Sequence, residues 1–159
     1  MEKQVMERKA SDNKYLHKDF HLHLNLGVEY LRQHYGDEAV REYLREFTLA
    51  YYTPLKAELK EKGLNAVLEH NKKIYSAEEA LDDVEFTLSE NELIIHVKKC
   101  PGATHITNSG TQLSPLYYEL TRTVNEVLCE GTDYAFELLE YDNGTGASVQ
   151  RFYRRGDNL

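Results

Sequence analysis

Apolar residues recur every three or four positions through the first half of the chain, and this spacing predicts amphipathic helices. Gly36 is expected to stop the first helix, and Asp37 directly after it is expected to cap the second. Pro54 lies inside the second apolar stripe, so that helix is expected to kink there before Gly63 ends it. The bounds predicted for the three helices are about 15–35, 37–62 and 65–75.

After residue 83 the helical spacing gives way to strict alternation of apolar and polar residues, which predicts strands. The alternation runs over 84–88 and again over 93–97, and the two runs are separated by a short polar turn. Pro101 and Gly102 come directly afterwards, and proline cannot continue a strand ladder. The pattern predicts a β-hairpin that ends near Cys100.

A second hairpin is predicted at the end of the chain, where Asn143-Gly144 separates strand-like runs over 133–141 and 147–153. The segment 103–113 is rich in Gly, Ser, Thr and Asn and is predicted to be a loop. Ser114-Pro115 then marks the start of a fourth helix, which Gly131 stops after Glu130.

The element order is therefore three helices, a hairpin, a helix and a second hairpin. Two hairpins can join into one four-stranded antiparallel sheet with helices covering one face, which is an α+β fold. A chain of 159 residues fits one domain, which we expect to span 15–159. The polar residues 1–14 are expected to form a flexible N-terminal segment.

The charge, the hydropathy and the absence of known motifs exclude several classes of function. The net charge of −8 opposes non-specific binding to nucleic acid, because such binding depends on Lys and Arg contacts to phosphate. No apolar run approaches the ~20 residues that span a bilayer, and the first residues lack the apolar region of a secretory signal, so a cytoplasmic location without membrane contact is expected. No phosphate-binding glycine loop, GxSxG motif or acidic metal loop is present, so no cofactor is predicted.

Cys100 is the first candidate for chemistry, because it follows a strand directly and opens a loop. Lys98 and Lys99 are close in sequence and are expected to lower the pKa of its thiol. His105 would serve as a base if the loop folds back. The alternative is a buried cysteine that acts as a small apolar residue.

Three histidines, His17, His21 and His23, lie close together on the first predicted helix. His17 and His21 are four residues apart and share a helix face, as metal ligands do, but the sequence between them is not that of a metalloprotease. The alternative is that all three are surface or hydrogen-bonded histidines. A zinc site that adds the two cysteines lacks the CxxC signature, so no metal is predicted.

Four residues on the fourth predicted helix, Tyr118, Arg122, Asn125 and Cys129, are spaced four, three and four apart and therefore share one face. A guanidinium flanked by tyrosine and asparagine suits a carboxylate, which it can bind with two hydrogen bonds. The four are accordingly candidates for substrate binding. The alternative is a solvent-facing side of the helix.

Several segments together resemble the L-2-amino-thiazoline-4-carboxylic acid hydrolase family. The resemblance covers roughly 15–155 and depends mainly on a cysteine-proline after the second strand and a cysteine-glutamate at the end of the last helix. The segments are LGVEYLRQHYG, EAVREYLREFTLAYYTPL, HVKKCPG, TRTVNEVLCEGTDYAFELLEY and QRFYRR.

The resemblance implies ring-opening hydrolysis of a small cyclic amidine-like acid. It implies that the Cys100 thiolate attacks the C=N carbon, that a histidine moves the protons, and that Arg122 holds the substrate carboxylate with Asn125 and Tyr118. His21, His23 and His105 are the candidates for that histidine.

Two other functions are compatible with the sequence. The layout is also similar to small-molecule-binding domains of the 4-vinyl reductase type, which suggests a non-enzymatic binding or sensor domain. A scaffold that acts by forming a homodimer would show exposed apolar stripes on its helices. In every case except the scaffold, the expected partner is a small molecule.

Overall fold

The computed structural model describes the backbone of residues 15–156 and the side chains of residues 19–156. The flexible segment predicted over 1–14 and the side chain of His17 lie outside the described residues. Six helices and four strands are found in the described part of the chain, with a 3-10 turn at Leu81–Asp83. Their bounds are α1 Tyr15–Tyr35, α2 Asp37–Tyr51, α3 Thr53–Lys62, α4 Leu64–Ala77, β1 Val84–Leu88, β2 Glu92–Val97, α5 Pro101–Asn108, α6 Glu119–Cys129, β3 Tyr134–Tyr141 and β4 Ser148–Arg154.

The four strands form one antiparallel sheet in the order β1-β2-β4-β3. Each predicted hairpin is present, and the two join where β2 pairs with β4, with Ile95 opposite Gln150. A β-bulge at Leu139 shifts the register of β3 and brings Tyr141 opposite Ser148. The α+β class and the four-stranded antiparallel sheet predicted from the sequence are confirmed.

One face of the sheet is apolar and covered by helices, and the other face is polar. Leu93, Ile95 and Val97 alternate along β2 and are almost completely buried. On the opposite face Arg151 bridges the carboxylates of Glu92 and Glu137 on the neighbouring strands. This is the pattern of an antiparallel sheet with one solvated face.

Two main apolar clusters hold the helices in place. The larger lies between the inner face of the sheet and α3, α4 and α6, with Leu59, Val67 and Phe152 at its centre. The second lies between α1, α2 and α6 and is centred on Val28 and Leu44. No helix in the described part of the chain is both long enough and apolar enough to span a membrane.

Pro54 divides the second predicted helix rather than kinking it. α2 ends at Tyr51 and α3 starts at Thr53, so the proline lies in the first turn of a new helix, where its missing N–H costs nothing. Asp37 is the first residue of α2 and not its cap, because Gly36 occupies the cap position without a side-chain hydrogen bond.

The predicted loop over 103–113 is wrong, because α5 occupies most of it. Pro101 is suited to the first turn of a helix, and Ala103 and Ile106, three residues apart, are completely buried against Tyr117. Burial of this small apolar face overrides the low helix propensity of the Gly, Ser and Thr residues around it. α6 also starts later than predicted.

The late start of α6 results from long-range hydrogen bonds at Ser114. Its backbone N–H donates to Asn25 Oδ1 at 2.8 Å, and its hydroxyl donates to Glu29 Oε2 at 2.8 Å. Both partners are on α1, so Ser114 is held against that helix. Residues 115–118 then form turns before α6 begins at Glu119.

Candidate functional site

Cys100 is the N-cap of α5. Its Sγ accepts a hydrogen bond from the backbone N–H of Ala103 at 3.5 Å, and its carbonyl accepts one from the Thr104 hydroxyl at 2.8 Å. The amides at a helix N-terminus stabilise negative charge, so this position favours a thiolate over other places in the fold. The predicted end of the hairpin is correct, but the segment after it is a helix and not a loop.

The surroundings of the thiol nevertheless oppose ionisation. Burial raises the pKa of Cys100, the amides of Ala103 and Gly102 lower it in part, and the nearby Glu78 carboxylate raises it further. The expectation that Lys98 and Lys99 lower this pKa is wrong. The Lys98 ammonium forms an ion pair with Glu85 on β1.

Among the histidines whose side chains the structure describes, His21 on α1 reaches this region. Its Nε2 lies 2.8 Å from Glu78 Oε1, and the Glu78 side chain is only 3% exposed. This contact fixes the orientation of the imidazole ring, whose other nitrogen is Nδ1. A histidine oriented by a buried carboxylate is the arrangement that general bases use.

Gly102 is where His21 and Tyr117 meet, two residues after the thiol. A Cβ placed on Gly102 would lie 2.8 Å from His21 Nδ1 and 2.6 Å from the Tyr117 hydroxyl. Only a glycine leaves room for both groups. The Nδ1 atom of His21 therefore faces the first turn of α5, whose cap is Cys100.

Three tyrosines, Tyr75, Tyr117 and Tyr141, complete the surroundings of the thiol. Burial is the main reason why the pKa of each phenol is raised, and interaction with Cys100 is the second. All three hydroxyls therefore stay protonated across the physiological range and can act as hydrogen-bond donors.

The three hydroxyls face space that water can reach. None of the three hydroxyls forms a hydrogen bond within the described residues. In that part of the chain, however, every fully buried side-chain nitrogen or oxygen has a partner. A hydroxyl without a partner must therefore be accessible to solvent. Since the Tyr117 hydroxyl touches Gly102, this space adjoins His21 and the cap of α5.

The turn between β3 and β4 packs on the other side of the thiol. A Cβ on Gly146, whose φ is +69°, would lie 2.7 Å from Cys100 Cβ and 3.0 Å from Ala103 Cβ. Next to this turn is an open groove of about 380 Å³, which lies between the ends of β2, β3 and β4. Tyr141, whose phenol interacts with Cys100, lines this groove, but the lining does not include Cys100 itself.

The other two candidate histidines are not brought to this site. His23 is exposed, and two residues along a helix turn its side chain about 200° away from that of His21. His105 was expected to approach Cys100 by folding of a loop. Because the segment is helical, five residues turn His105 about 140° away from the cap.

Arg122 is occupied by an internal carboxylate. Its guanidinium donates to Glu119 Oε2 at 3.1 Å and Oε1 at 2.5 Å, and Arg41 donates to Oε1 at 2.9 Å. Burial would raise the pKa of the fully buried Glu119, but hydrogen bonds from Thr123, Arg41 and Arg122 outweigh it and hold that pKa below its usual value. The predicted clamp for a substrate carboxylate is therefore filled by the protein.

The four residues predicted to share one face of the last helix lie in different surroundings. Arg122 lies over the ring of Tyr118 at 5.1 Å and lines an open groove of about 360 Å³ between α2 and α6, whose lining does not include Cys100. Asn125 is half-buried and makes no side-chain hydrogen bond within the described part of the chain. Tyr118 alone leads to the thiol site, because its ring contacts that of Tyr141 at 5.9 Å.

Cys129 belongs to the core and not to a polar face. Its side chain is 1% exposed within the larger apolar cluster, and burial raises its pKa to about 12. Both cysteines are free thiols. Among the described residues, no group of three or more His, Cys, Asp or Glu side chains is arranged to hold a metal ion.

Sequence reasoning missed the residues that surround Cys100 and His21. Glu78 lies in an acidic stretch whose pattern indicates only a connection, and Tyr117 and Tyr141 lie in segments whose patterns indicate only helix and strand. The abundance of tyrosine, with 12 residues, was the one available signal, but it does not single out these positions.

Comparison with known proteins gives no independent indication of function. A scan against protein-family models, a search of curated proteins and a search of solved structures each returned no match for this chain.

Proposed function

We propose that this protein is a cysteine-dependent hydrolase that cleaves a C–N bond in a small amidine-like molecule. Cys100 is the nucleophile, His21 is the general base and Glu78 orients His21. The observation that carries the proposal is the arrangement around Gly102, where the His21–Glu78 pair faces the first turn of the helix that Cys100 caps.

The raised pKa of the thiol defines the role of the base. Because burial keeps Cys100 protonated at neutral pH, its proton must be removed as it attacks, and His21 Nδ1 accepts it. The Sγ–C bond forms at the C=N carbon, and the π electrons move to nitrogen, which takes the proton back from His21. The amides of Gly102 and Ala103 stabilise the thiolate as it forms and leaves.

Hydrolysis is completed by water. The tetrahedral adduct collapses with cleavage of a C–N bond. His21 takes a proton from the nitrogen that forms the thioimidate C=N bond and gives it to the leaving nitrogen, which departs as an amine and stays attached to the product when the substrate is a ring. Water then attacks the thioimidate carbon while His21 accepts its proton, and the Cys100 thiolate is expelled and reprotonated. No oxidant, reductant or cofactor enters these steps.

The proposal differs from the expectation based on the family resemblance in one respect. The carboxylate of a 2-aminothiazoline-4-carboxylate-like substrate has no assigned partner at Arg122, since that guanidinium binds Glu119. The amidine-like group, which undergoes the reaction, remains the feature that the substrate must carry.

The test compares matched cysteine and histidine variants. Ammonia or amine release from 2-aminothiazoline-4-carboxylate and from simple amidines is measured for Cys100→Ser and His21→Gln, with Cys129→Ser and His23→Gln as controls. We expect Cys100→Ser to lower kcat/KM by at least about a thousandfold and His21→Gln by about 10²–10⁴-fold, with both controls near wild type.

Full activity in Cys100→Ser would contradict the proposal. So would a wild-type protein that turns over none of these compounds and whose Cys100 reacts with iodoacetamide no faster than after His21→Gln. That second result favours the alternative of a non-enzymatic small-molecule-binding domain, which the buried thiol and the solvent-facing tyrosine hydroxyls also support.

A further inference from the structure

The outer face of α1 exposes large apolar side chains. Exposed residues recur along it at spacings of three and four: Phe20, His23, Gly27, Tyr30 and His34. Leu26 lies beside Gly27 on the same face and is 50% exposed. None of these six residues is Asp, Glu, Lys or Arg, although those four types make up 29% of the chain. The spacing is that of the positions at which two helices meet in a coiled coil.

The side chains on this face are partly fixed before any partner binds. The rings of Tyr30 and His34 stack with their centroids 4.2 Å apart, and His34 Nδ1 lies 2.9 Å from the carbonyl oxygen of Tyr30. The opposite side of α1 is held by Val28 in the second apolar cluster and by Asn25, which donates to the Gln112 carbonyl at 3.0 Å. A rigid helix with ordered rings loses little conformational entropy when it binds a partner.

The shape of the outer face of α1 fits a second copy of itself when the two helices run antiparallel. With a two-fold axis between Leu26 and Gly27, each Leu26 lies opposite the Gly27 of the other copy. Nothing lies within 4 Å of a Cβ placed on Gly27, so the glycine leaves the space that this leucine needs. A large side chain and an open position next to each other therefore complement each other across the axis.

The charges match in the same antiparallel register. Asp19 is exposed at one end of the face and lies opposite His34 of the second copy. Because Nδ1 of His34 contacts the backbone carbonyl of its own helix, Nε2 of the imidazolium form can donate to that carboxylate. His23 lies opposite Tyr30, so no pair of like charges meets across the axis.

From this spacing, shape and charge we propose that the protein forms a homodimer through the outer face of α1, packed antiparallel against the same face of a second copy. Contacts that a two-fold axis repeats close the assembly at two chains. Residues 1–14 of the same chain are a poorer match for this face, because half of them are charged. The dimer leaves the thiol site uncovered, since nine residues place His21 about 180° around α1 from Tyr30. The proposal does not depend on the reaction proposed above.

Sedimentation equilibrium of the full-length protein measures the association. The face spans about four helical turns and is smaller than a standard interface, so we expect a monomer–dimer equilibrium with a Kd in the micromolar range. Concentrations from about 1 to 500 μM cover that range. A monomer at every concentration would overturn the proposal.

Gly27→Gln tests the contact at the centre of the face. Glutamine fills the space opposite Leu26 but meets nothing in the monomer, and it favours a helix more than glycine does. We expect the Kd of the dimer to rise at least about tenfold, while the urea midpoint at about 1 μM protein stays the same or rises. Leu139→Lys is the control, because it removes a leucine that is 51% exposed on β3, and it should leave the Kd unchanged.

An exchange of charges tests the antiparallel register. Asp19→Lys and His34→Glu should each raise the Kd by about two- to fivefold at low salt, and the double variant should restore it, because the introduced lysine and glutamate then pair between chains. Positions 19 and 34 are about 22 Å apart along one helix, so they cannot pair within a chain.

Two further results would overturn the proposal. One is a dimer whose Kd is the same in Gly27→Gln and in wild type, which would place the interface elsewhere. The other is a double charge variant that dimerises no better than the weaker of its two single variants, which would exclude the antiparallel register.

Discussion

Single residues decide which groups meet at the thiol. His21 and Glu78 are 57 positions apart, yet their side chains are 2.8 Å apart, and His21 occupies the space that a Cβ on Gly102 would fill. Glu119 shows the opposite case, where a buried carboxylate gathers Arg41 and Arg122 and removes them from ligand binding. The spacing of charges along a helix does not distinguish a ligand site from an internal ion pair.

Gly102→Ala tests the arrangement at the residue scale. The added methyl would lie within 3 Å of both the Tyr117 hydroxyl and His21 Nδ1, so His21 must move. We expect the alkylation rate of Cys100 at neutral pH and the amidine turnover to fall by about a hundredfold, while stability falls by about 1–3 kcal/mol. The rate of reaction with iodoacetamide and urea unfolding provide the two measurements.

Gly27→Ala is the matched control for that substitution. Nothing lies within 4 Å of a Cβ on Gly27, and the residue is inside α1 with ordinary helical geometry, so alanine should stabilise the protein by about 0.5–1 kcal/mol. Equal thiol reactivity in wild type and Gly102→Ala would show that His21 does not act on Cys100.

At the scale of elements, α5 and the β3–β4 turn enclose the thiol from two sides. α5 exists because two buried apolar residues pack against Tyr117, and it points the amides of its first turn at Sγ. The turn is ordered by Asp142, whose Oδ1 accepts hydrogen bonds from the backbone of Gly144 and Thr145 and from the Thr145 hydroxyl. Access to the thiol therefore depends on how this turn packs.

Gly146→Ala should disrupt that packing. Alanine is strained at a φ of +69°, and its Cβ would clash with Cys100 and Ala103, so we expect a loss of about 2–4 kcal/mol in the free energy of unfolding. Displacement of the turn should also speed alkylation of Cys100. Urea unfolding and iodoacetamide kinetics measure the two effects.

Gly144→Ala, two residues earlier in the same turn, is the comparison. Its φ is not in the left-handed region and the nearest atom to a new Cβ is Asp142 Oδ1 at 3.3 Å, so stability should change by no more than about 0.5 kcal/mol. Similar effects of the two substitutions would mean that the contact between Gly146 and Cys100 does not hold the turn.

On the scale of the whole molecule, α6 contributes residues to both main apolar clusters, and Tyr52 packs against both. Val127, Leu128 and Cys129 at the end of α6 are buried, and Val124 one turn earlier belongs to the second cluster. A helix that contributes to both clusters couples the sheet layer to the α1–α2 layer. We therefore expect the described part of the chain to unfold as one cooperative unit.

Cys129 reports on that cooperativity. Its thiol is 1% exposed and its pKa is raised to about 12, so in a Cys100→Ala variant it should react with iodoacetamide only when the protein unfolds globally. The free energy of opening from labelling rates should equal the free energy of unfolding from circular dichroism across a urea series. Labelling much faster than global unfolding would reveal local opening of α6.

Much of the fold was predictable because it is encoded locally. Alternation of apolar residues over 84–97 and Asn143-Gly144 identify two hairpins, and the first helix has the predicted bounds. The prediction of a loop over 103–113 was wrong because α5 depends on burial of Ala103 and Ile106 against Tyr117, more than ten positions away. Local helix propensity does not include the free energy of such a distant contact.

The candidate site was only partly predictable. Cys100 stands out in sequence because of its position after a strand, and His21 was one of three histidine candidates, but nothing local separates His21 from His23 or identifies Glu78 as its partner.

The amino-acid sequence alone determined the α+β class, the two hairpins and the presence of a thiol at the end of the first one, because periodicity and turn residues act over a few positions. Only the tertiary structure decided that His21, Glu78 and Tyr117 gather near that thiol and that Arg122 is bound by Glu119. Those outcomes depend on which faces are buried together, and burial is a property of the packed chain.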